Sequence, residues 1–231
     1  MSHPCWPSMV WQTYDYYFDP TAAYFGCKKA CEPLHIQYNA LTDSIEVVNH
    51  SAGTLSNLVA LATVFDLNGR KVCEQKVRLS SAEDTTLPIA CHSKPTDKDL
   101  KSTNVYYLRL ELIQKGKIIS ENLYILSREE GNYRDLATLP HPKVEQRVVI
   151  HDAGVTQQAD VTLRNKGPKP AVFLRLNLKG ADGEQILPVV YSDNYITLMP
   201  GESKTIHVTW NVRDARGQSP DFQLSGLLQK P

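Results

Sequence analysis

From Leu34 onward the chain is a succession of short runs in which β-branched and aromatic residues alternate with polar ones. "LHIQYNA", "SIEVVNHS", "LVALATVFDL", "KVCEQKVRL", "VYYLRLELI" and "IISENLYIL" follow one another up to Ser127. After Lys143 come "KVEQRVVIHD", "ADVTLRNKG", "AVFLRLNLKG", "EQILPVVYSD", "SKTIHVTWNV" and "DFQLSGLLQ". A period of two puts every second side chain on one face, the pattern of half-buried strands. Turn chemistry separates the runs. Leu67-Asn68-Gly69-Arg70 predicts a type I′ hairpin, Gln114-Lys115-Gly116-Lys117 a weaker one, and Ala181-Asp182-Gly183 repeats the same chemistry. Pro200-Gly201 predicts a type II turn before a strand with Ile206, Val208 and Trp210 on one face.

The two sets of strands echo one another. "EVVNHSAG…LVALATVFDLNGRKV" and "VTLRNKGPKPAVFLRLNLKGADGEQI" share the order strand, Asn, small loop, long strand, Asn-Gly or Asp-Gly, strand. A chain of 231 residues, 42 % hydrophobic, has enough material for two domains of about 100 residues each. About seven short strands apiece predict an all-β fold of two immunoglobulin-like β-sandwiches in tandem. The boundaries fall at 34–127 and 143–231, with the polar, Gly- and Pro-containing stretch 128–142 as a linker.

Residues 1–33 are of another kind. Eight of the nineteen Trp, Tyr and Phe residues lie between Trp6 and Phe25. A short helix follows, with Asp19 as its cap, Pro20 in its first turn and Pro33 at its end. Ala23, Gly26, Cys27 and Ala30 recur at helical spacing, a face small enough for close packing on a neighbour. Because "EPLHIQY" leads straight into the first strand, the helix is expected to dock on the first sandwich. The rings before it must be covered or remain an apolar patch, so the segment before Asp19 is expected either to be poorly ordered or to associate, through residues 1–18, with a second copy of the chain.

Charge and motifs exclude more than they identify. Twenty-five Lys and Arg balance twenty-five Asp and Glu, which leaves no net field for nucleic acid or an anionic membrane. No run approaches the roughly 18 apolar residues of a membrane span, and the start lacks the basic and apolar regions of a secretory signal. Five cysteines without framework spacing do not make a disulfide scaffold, although Cys73 and Cys91 could pair on facing strands. There is no Gly-rich phosphate loop, no G-x-S-x-G elbow and no H-E-x-x-H, so no cofactor is expected. His3, Cys5, Cys27 and Cys31 admit a zinc reading, but small cysteines on a packed helix face explain the same residues more simply. Asp193-Asn194-Tyr195 reads as a polar patch or as Asx-turn chemistry. Glu83 with Asp84, and Asp97 with Asp99, are loop carboxylates of the kind that is ordinarily solvated. His50, His92, His141 and His151 carry no catalytic spacing. The strands contain no recognisable active site.

The opening residues supply the missing context. "CWPSMVWQTYDYYFDPTAAYFGCKKACEPLHIQYN" resembles the junction near the C-terminus of family 2 glycoside hydrolases, in the exo-β-D-glucosaminidase and β-mannosidase branch. "VYYLRLELI…ENLYILS" and "AVFLRLNLKG…ILPVVYSDNYITLMPGESKTI" extend the resemblance over nearly the whole chain. It implies that residues 1–33 are the end of a (β/α)8 barrel with its last helix, and that the sandwiches support that barrel. Trp6 and Trp11 would then belong to the wall of the sugar pocket, and Tyr14 to Phe18 would pack beneath. The family's two catalytic glutamates lie on earlier barrel strands with no counterpart here, and retaining hydrolysis needs both carboxyls about 5 Å apart. The chain alone is therefore expected to be inactive. Its partner would be the parent's barrel, it would meet oligosaccharide only through that parent, and the parent would be periplasmic or extracellular. A stand-alone carbohydrate-binding or adhesion module of two sandwiches is the other reading.

Overall fold

The computed structural model describes residues 13–90, 94–96, 100, 103–151 and 154–227. Trp6, Trp11, His3, Cys5, Cys91, His92, Asp97 and Asp99, all singled out above, lie outside the described residues. The chain divides into two compact units: one runs from Lys28 to Leu139, and the other takes in the segment up to Cys27 together with Pro140 onward. The fold is all-β, and the helix α1 lies at Ala22–Ala30.

Among the described residues, the unit from Lys28 holds seven strands: β1 (Leu34–Asn39), β2 (Ser44–Asn49), β3 (Leu55–Asp66), β4 (Lys71–Ser81), β5 (Thr85–Ile89), β6 (Val105–Gln114) and β7 (Lys117–Ser127). They form a three-stranded sheet, β1-β2-β5, facing a four-stranded one, β4-β3-β6-β7, all antiparallel. Alternate residues of each strand meet in one core, including Ile36, Ile45, Leu58, Ala60, Leu108 and Leu110. The second unit repeats the plan with β8 (Val144–His151), β9 (Thr156–Asn165), β10 (Ala171–Lys179), β11 (Val189–Tyr191), β12 (Ile196–Leu198), β13 (Ser203–Asn211) and β14 (Asp221–Ser225). Here a four-stranded sheet, β11-β13-β9-β8, faces β12-β10-β14. Ile206, Val208 and Trp210 of β13 enter its core together, as their alternation predicts.

The echo between the halves has a physical basis in two asparagines. Asn49 ends β2 and Asn165 ends β9, and neither exposes any surface. The side-chain oxygen of Asn49 accepts the N–H of Ser51, while its amide donates to the carbonyls of Gly53, Ser81 and Ala82 at 3.3, 3.2 and 2.9 Å. Asn165 does the same, accepting from Gly167 and donating to Lys169 and Leu198 at 2.8 and 2.9 Å. In each sandwich one amide shapes the loop two and four residues on and staples it to a second connection, β4–β5 in the first and β12–β13 in the second.

One turn differs in type from the expectation. In 67–70 the positive φ sits at Gly69 alone (79°), and Asp66 closes the loop through Gly69 N–H to Asp66 O and Asp66 N–H to Arg70 O, both 2.9 Å. That is a three-residue loop with a left-handed glycine, not type I′. Its cause is Asp66, whose carboxylate accepts the Asn68 and Arg70 N–H groups and so favours the longer loop. The two-residue turn occurs at Lys115-Gly116 instead, where both residues take positive φ, 50° and 77°. Pro200-Gly201 forms the turn expected of it, with Gly201 at 81° and Glu202 N–H donating to Met199 O. β5 and β12 lack alternating sequence of any length and were not legible as strands. The polar stretch read as a linker carries a 3-10 turn at Arg134–Thr138 that buries Leu136. Asp135 Oδ2 accepts the N–H of Asn104, tying this stretch to the start of β6.

Candidate functional site

The aromatic segment is a strap, and its geometry follows from Asp15. Asp15 Oδ1 accepts the N–H groups of Tyr17 (2.8 Å) and Asp19 (3.0 Å), and its backbone carbonyl accepts that of Phe18 (3.1 Å). Asp15 N–H donates to Asp19 O and Thr21 N–H to Thr13 O, so the strap folds back on itself. Phe18 is held at φ 65°, a conformation that a bulky side chain adopts only when its surroundings impose it. The outcome is a tight turn that exposes rings: Tyr16 and Tyr17 are each 50 % exposed and Phe18 57 %. Tyr14 stacks on Phe18 at 5.9 Å, and Tyr16 meets Tyr17 edge-on at 5.4 Å.

Beyond the turn the strap is bound tightly, though not where the sequence placed it. Asp19, expected to cap the helix, instead pairs with Arg175 of β10 and accepts a hydrogen bond from Gln185 at 3.2 Å. The Arg175 guanidinium lies 5.8 Å from the Tyr195 ring centre, and Tyr195 packs on Phe25 at 6.0 Å. Phe25 is buried in the core of the C-terminal sandwich with Tyr24 against it. The expectation that the helix docks on the first sandwich is therefore corrected for its N-terminal half. Phe25 and Asp19 find an aromatic ring and a cation on the C-terminal sandwich, and burying one such ring is worth about 2–3 kcal/mol. The C-terminal end of α1 behaves as expected, since Lys29 donates to the Glu121 carbonyl of β7 at 3.1 Å. The face of small residues is also corrected: Ala23, Gly26, Cys27 and Ala30 are exposed, and the aromatic face packs.

The other candidates resolve into structural roles. Asn194 is buried and grips β10 by accepting from Leu176 N–H and donating to Leu176 O at 2.8 and 2.9 Å, while Asp193 pairs with Lys204. Tyr195, the third member of that motif, receives the strap. Glu83 accepts the N–H of Gly53, and Asp84 faces His50 at 3.3 Å. Cys27 and Cys31 are exposed and Cys73 is half-buried, all three with free thiols. Among the described residues no group of three or more His, Cys, Asp or Glu is placed to hold a metal ion. No described helix is long and apolar enough to cross a membrane. His151 and His207 were not expected to meet. They converge on Asp160 at 3.2 and 2.6 Å, and their hydrogen bonds hold its carboxyl below the usual value. Arg175, the strap's anchor, carried no sequence signal, because an alternating strand does not show which outward residue will meet a distant carboxylate.

Comparison with known proteins gives this arrangement its relatives. A family model, the exo-β-D-glucosaminidase Ig-fold domain, matches residues 122–227. These residues belong to that Ig-fold family. The exo-β-D-glucosaminidase of Streptomyces avermitilis is 33 % identical over 96 % of this chain, which spans 27 % of that protein. The enzyme of the same name from Arthroderma benhamiae is 33 % identical over 91 % of the chain, which spans 25 % of it. The chain thus spans about a quarter of the length of these relatives. The crystal structure of the exo-chitosanase CsxA of Amycolatopsis orientalis superposes with a TM-score of 0.80 at 28 % identity, covering 94 % of this chain and 28 % of that one. A mannosylglycoprotein endo-β-mannosidase of Lilium longiflorum is 27 % identical over 96 % of the chain. The match to the Streptomyces avermitilis enzyme extends over nearly the whole chain, well beyond residues 122–227.

Proposed function

We propose that the chain is the C-terminal part of an exo-acting β-glycosidase that removes terminal glucosamine, and that it buttresses a catalytic barrel supplied by the rest of that enzyme. The observation that carries this reading is the strap. Asp15 and Phe18 hold Tyr14, Tyr16 and Tyr17 in one fixed turn, and Asp19 and Phe25 anchor that turn to the Ig-fold domain. Rigid exposed rings on an anchored turn are suited to contact with a further protein surface, which exposed aromatic clusters ordinarily mark. The likeness to enzymes three to four times as long supports a barrel as that surface. Trp6 and Trp11 remain part of this proposal as pocket-wall residues of the assembled enzyme.

A chimaera tests it. The chain is exchanged for the corresponding segment of the Amycolatopsis orientalis enzyme, and release of p-nitrophenol from p-nitrophenyl β-D-glucosaminide is followed. The expected result is a soluble chimaera that turns over substrate, while the chain alone does not. A chimaera that folds but stays inactive, or glucosaminide hydrolysis by the chain alone that is abolished by replacing one of its carboxylates, would overturn the reading. Carbohydrate affinity of the isolated chain in gel electrophoresis would instead favour the stand-alone binding module.

A further inference from the structure

The sequence holds a single Asn-x-Ser/Thr triplet, Asn49-His50-Ser51, the acceptor signal for N-linked glycosylation. Such a triplet ordinarily marks a surface loop. Here its asparagine is the amide that staples the first sandwich, and it exposes no surface. The amide nitrogen of Asn49 meets the carbonyls of Gly53, Ser81 and Ala82. Its oxygen accepts from the backbone N–H and the hydroxyl of Ser51. The nitrogen that would carry a glycan and the hydroxyl that completes the signal are thus both engaged inside the fold. His50 between them is tied through its N–H to Pro33 O at 2.6 Å. Asn165 holds the same position in the C-terminal sandwich, but Gly167 stands where the hydroxyl residue would be, so that asparagine carries no signal.

We propose that Asn49 is a latent glycosylation site: an acceptor in the unfolded chain, withdrawn when the first sandwich closes, and one whose modification prevents that closure. The step is a group transfer from a lipid-linked oligosaccharide pyrophosphate. A bond forms between Asn49 Nδ2 and the first sugar carbon, the bond from that carbon to the lipid pyrophosphate breaks, and Nδ2 loses one proton. The product nitrogen keeps a single N–H, which cannot serve three carbonyls. Its sugar would stand at a position without exposed surface, so either the loop from Ser51 to Gly53 or the connection at Ser81 and Ala82 must stay open. Chain order leaves time for the reaction. Ser81 and Ala82 lie 32 and 33 residues beyond Asn49. At synthesis rates of about 5–20 residues per second, the amide stays uncovered for roughly 2–6 s. In a compartment that holds an oligosaccharyltransferase, folding and modification therefore compete for one nitrogen. This competition is independent of the barrel contact, which uses the strap.

Two arms test the proposal. In the first, the folded full chain and a synthetic peptide of residues 45–55 are incubated with an oligosaccharyltransferase and lipid-linked oligosaccharide, and mass spectrometry follows the product. The peptide should be modified at Asn49, and the folded chain at least about a hundredfold more slowly, because only its opened fraction can react. In the second, the full chain is placed behind a secretory leader and translated into microsomes. A heavier fraction that peptide N-glycosidase collapses should appear and be digested readily by protease, while the unmodified fraction resists. Ser51→Ala, which removes the signal and leaves Asn49 its three carbonyls, should abolish the heavier fraction and give only resistant chain. Modification of the folded chain at the peptide's rate, or a glycosylated fraction as resistant to protease as the unmodified one, overturns the proposal. So does a peptide or a translating chain that takes no glycan at Asn49.

Discussion

Asn49 and Asn165 hold the ends of β2 and β9 through buried hydrogen bonds. Each is fully buried, and the side-chain amide of each donates to at least two backbone carbonyls. A net hydrogen bond is worth about 1 kcal/mol, but removing the amide leaves its buried partners unpaired at about 1–3 kcal/mol. Asn49→Ala and Asn165→Ala are therefore expected to destabilise their sandwiches by roughly 2–4 kcal/mol each, read by urea unfolding. A loss below about 0.5 kcal/mol, the level of an ordinary surface substitution, would contradict the staple. Glu46 is a second buried group with a definite pH signature. Burial pushes its carboxyl up, but hydrogen bonds from Gln37, Asn39 and Ser44 outweigh that and hold it below its ordinary 4.5. A carboxyl depressed in the folded state adds stability above its unfolded pKa and loses it as pH falls through the folded value. Glu46→Gln should thus cost stability at pH 7, and the gap from the natural chain should close on acidification well below 4.5, measured by denaturant unfolding at both pH values. A gap that is the same at both would show that the charge is immaterial.

At the scale of elements, turn chemistry and anchoring both admit direct tests. Lys115 occupies a left-handed position in a two-residue hairpin, where Asn is favoured over Lys. Lys115→Asn is expected to stabilise the first sandwich by about 0.5 kcal/mol, seen as a small rise in its thermal midpoint. A fall would mean that the Lys115 side chain contributes more than its backbone strain costs. The strap's anchor is partly buried, so its loss is not that of a surface ion pair. Arg175→Ala leaves the Asp19 carboxylate short of its cation and removes the plane over Tyr195. The C-terminal sandwich should lose about 1–3 kcal/mol, and amides of Thr13–Phe25 should exchange faster. Unchanged exchange there would place the strap's stability in Phe25 alone. How the strap docks was not readable from its own residues. Helical spacing marks which residues share a face, but not which face meets a neighbour. The small face was the reasonable choice until Phe25 found Tyr195 and a hydrophobic core.

For the whole molecule, the 3-10 turn at Arg134–Thr138 bears on where protease can cut between the strands of the two sandwiches. Asn104 donates through its backbone N–H to the Asp135 carboxylate and through its side-chain amide to the Asn132 carbonyl, and Leu136 and Leu139 are buried. Limited trypsin digestion should therefore spare Arg128 and Arg134 while the sandwiches remain folded; rapid cleavage at those sites would show that the segment opens readily. The strand order of residues and their turn signals were enough to foresee an all-β chain of two immunoglobulin-like sandwiches, because alternation is a local property and about seven short alternating strands bury their apolar faces by pairing two facing sheets. The resemblance of the opening residues was likewise legible, since it rests on consecutive side chains. Local order could not foresee β5 and β12, which are strands only because β2 and β10 offer them an edge. Nor could it foresee the meeting of Asp19 with Arg175, or of His151 and His207 with Asp160. Those pairs are separated by up to 156 residues, and their contact depends on register and twist, quantities that exist only once the sheets have formed.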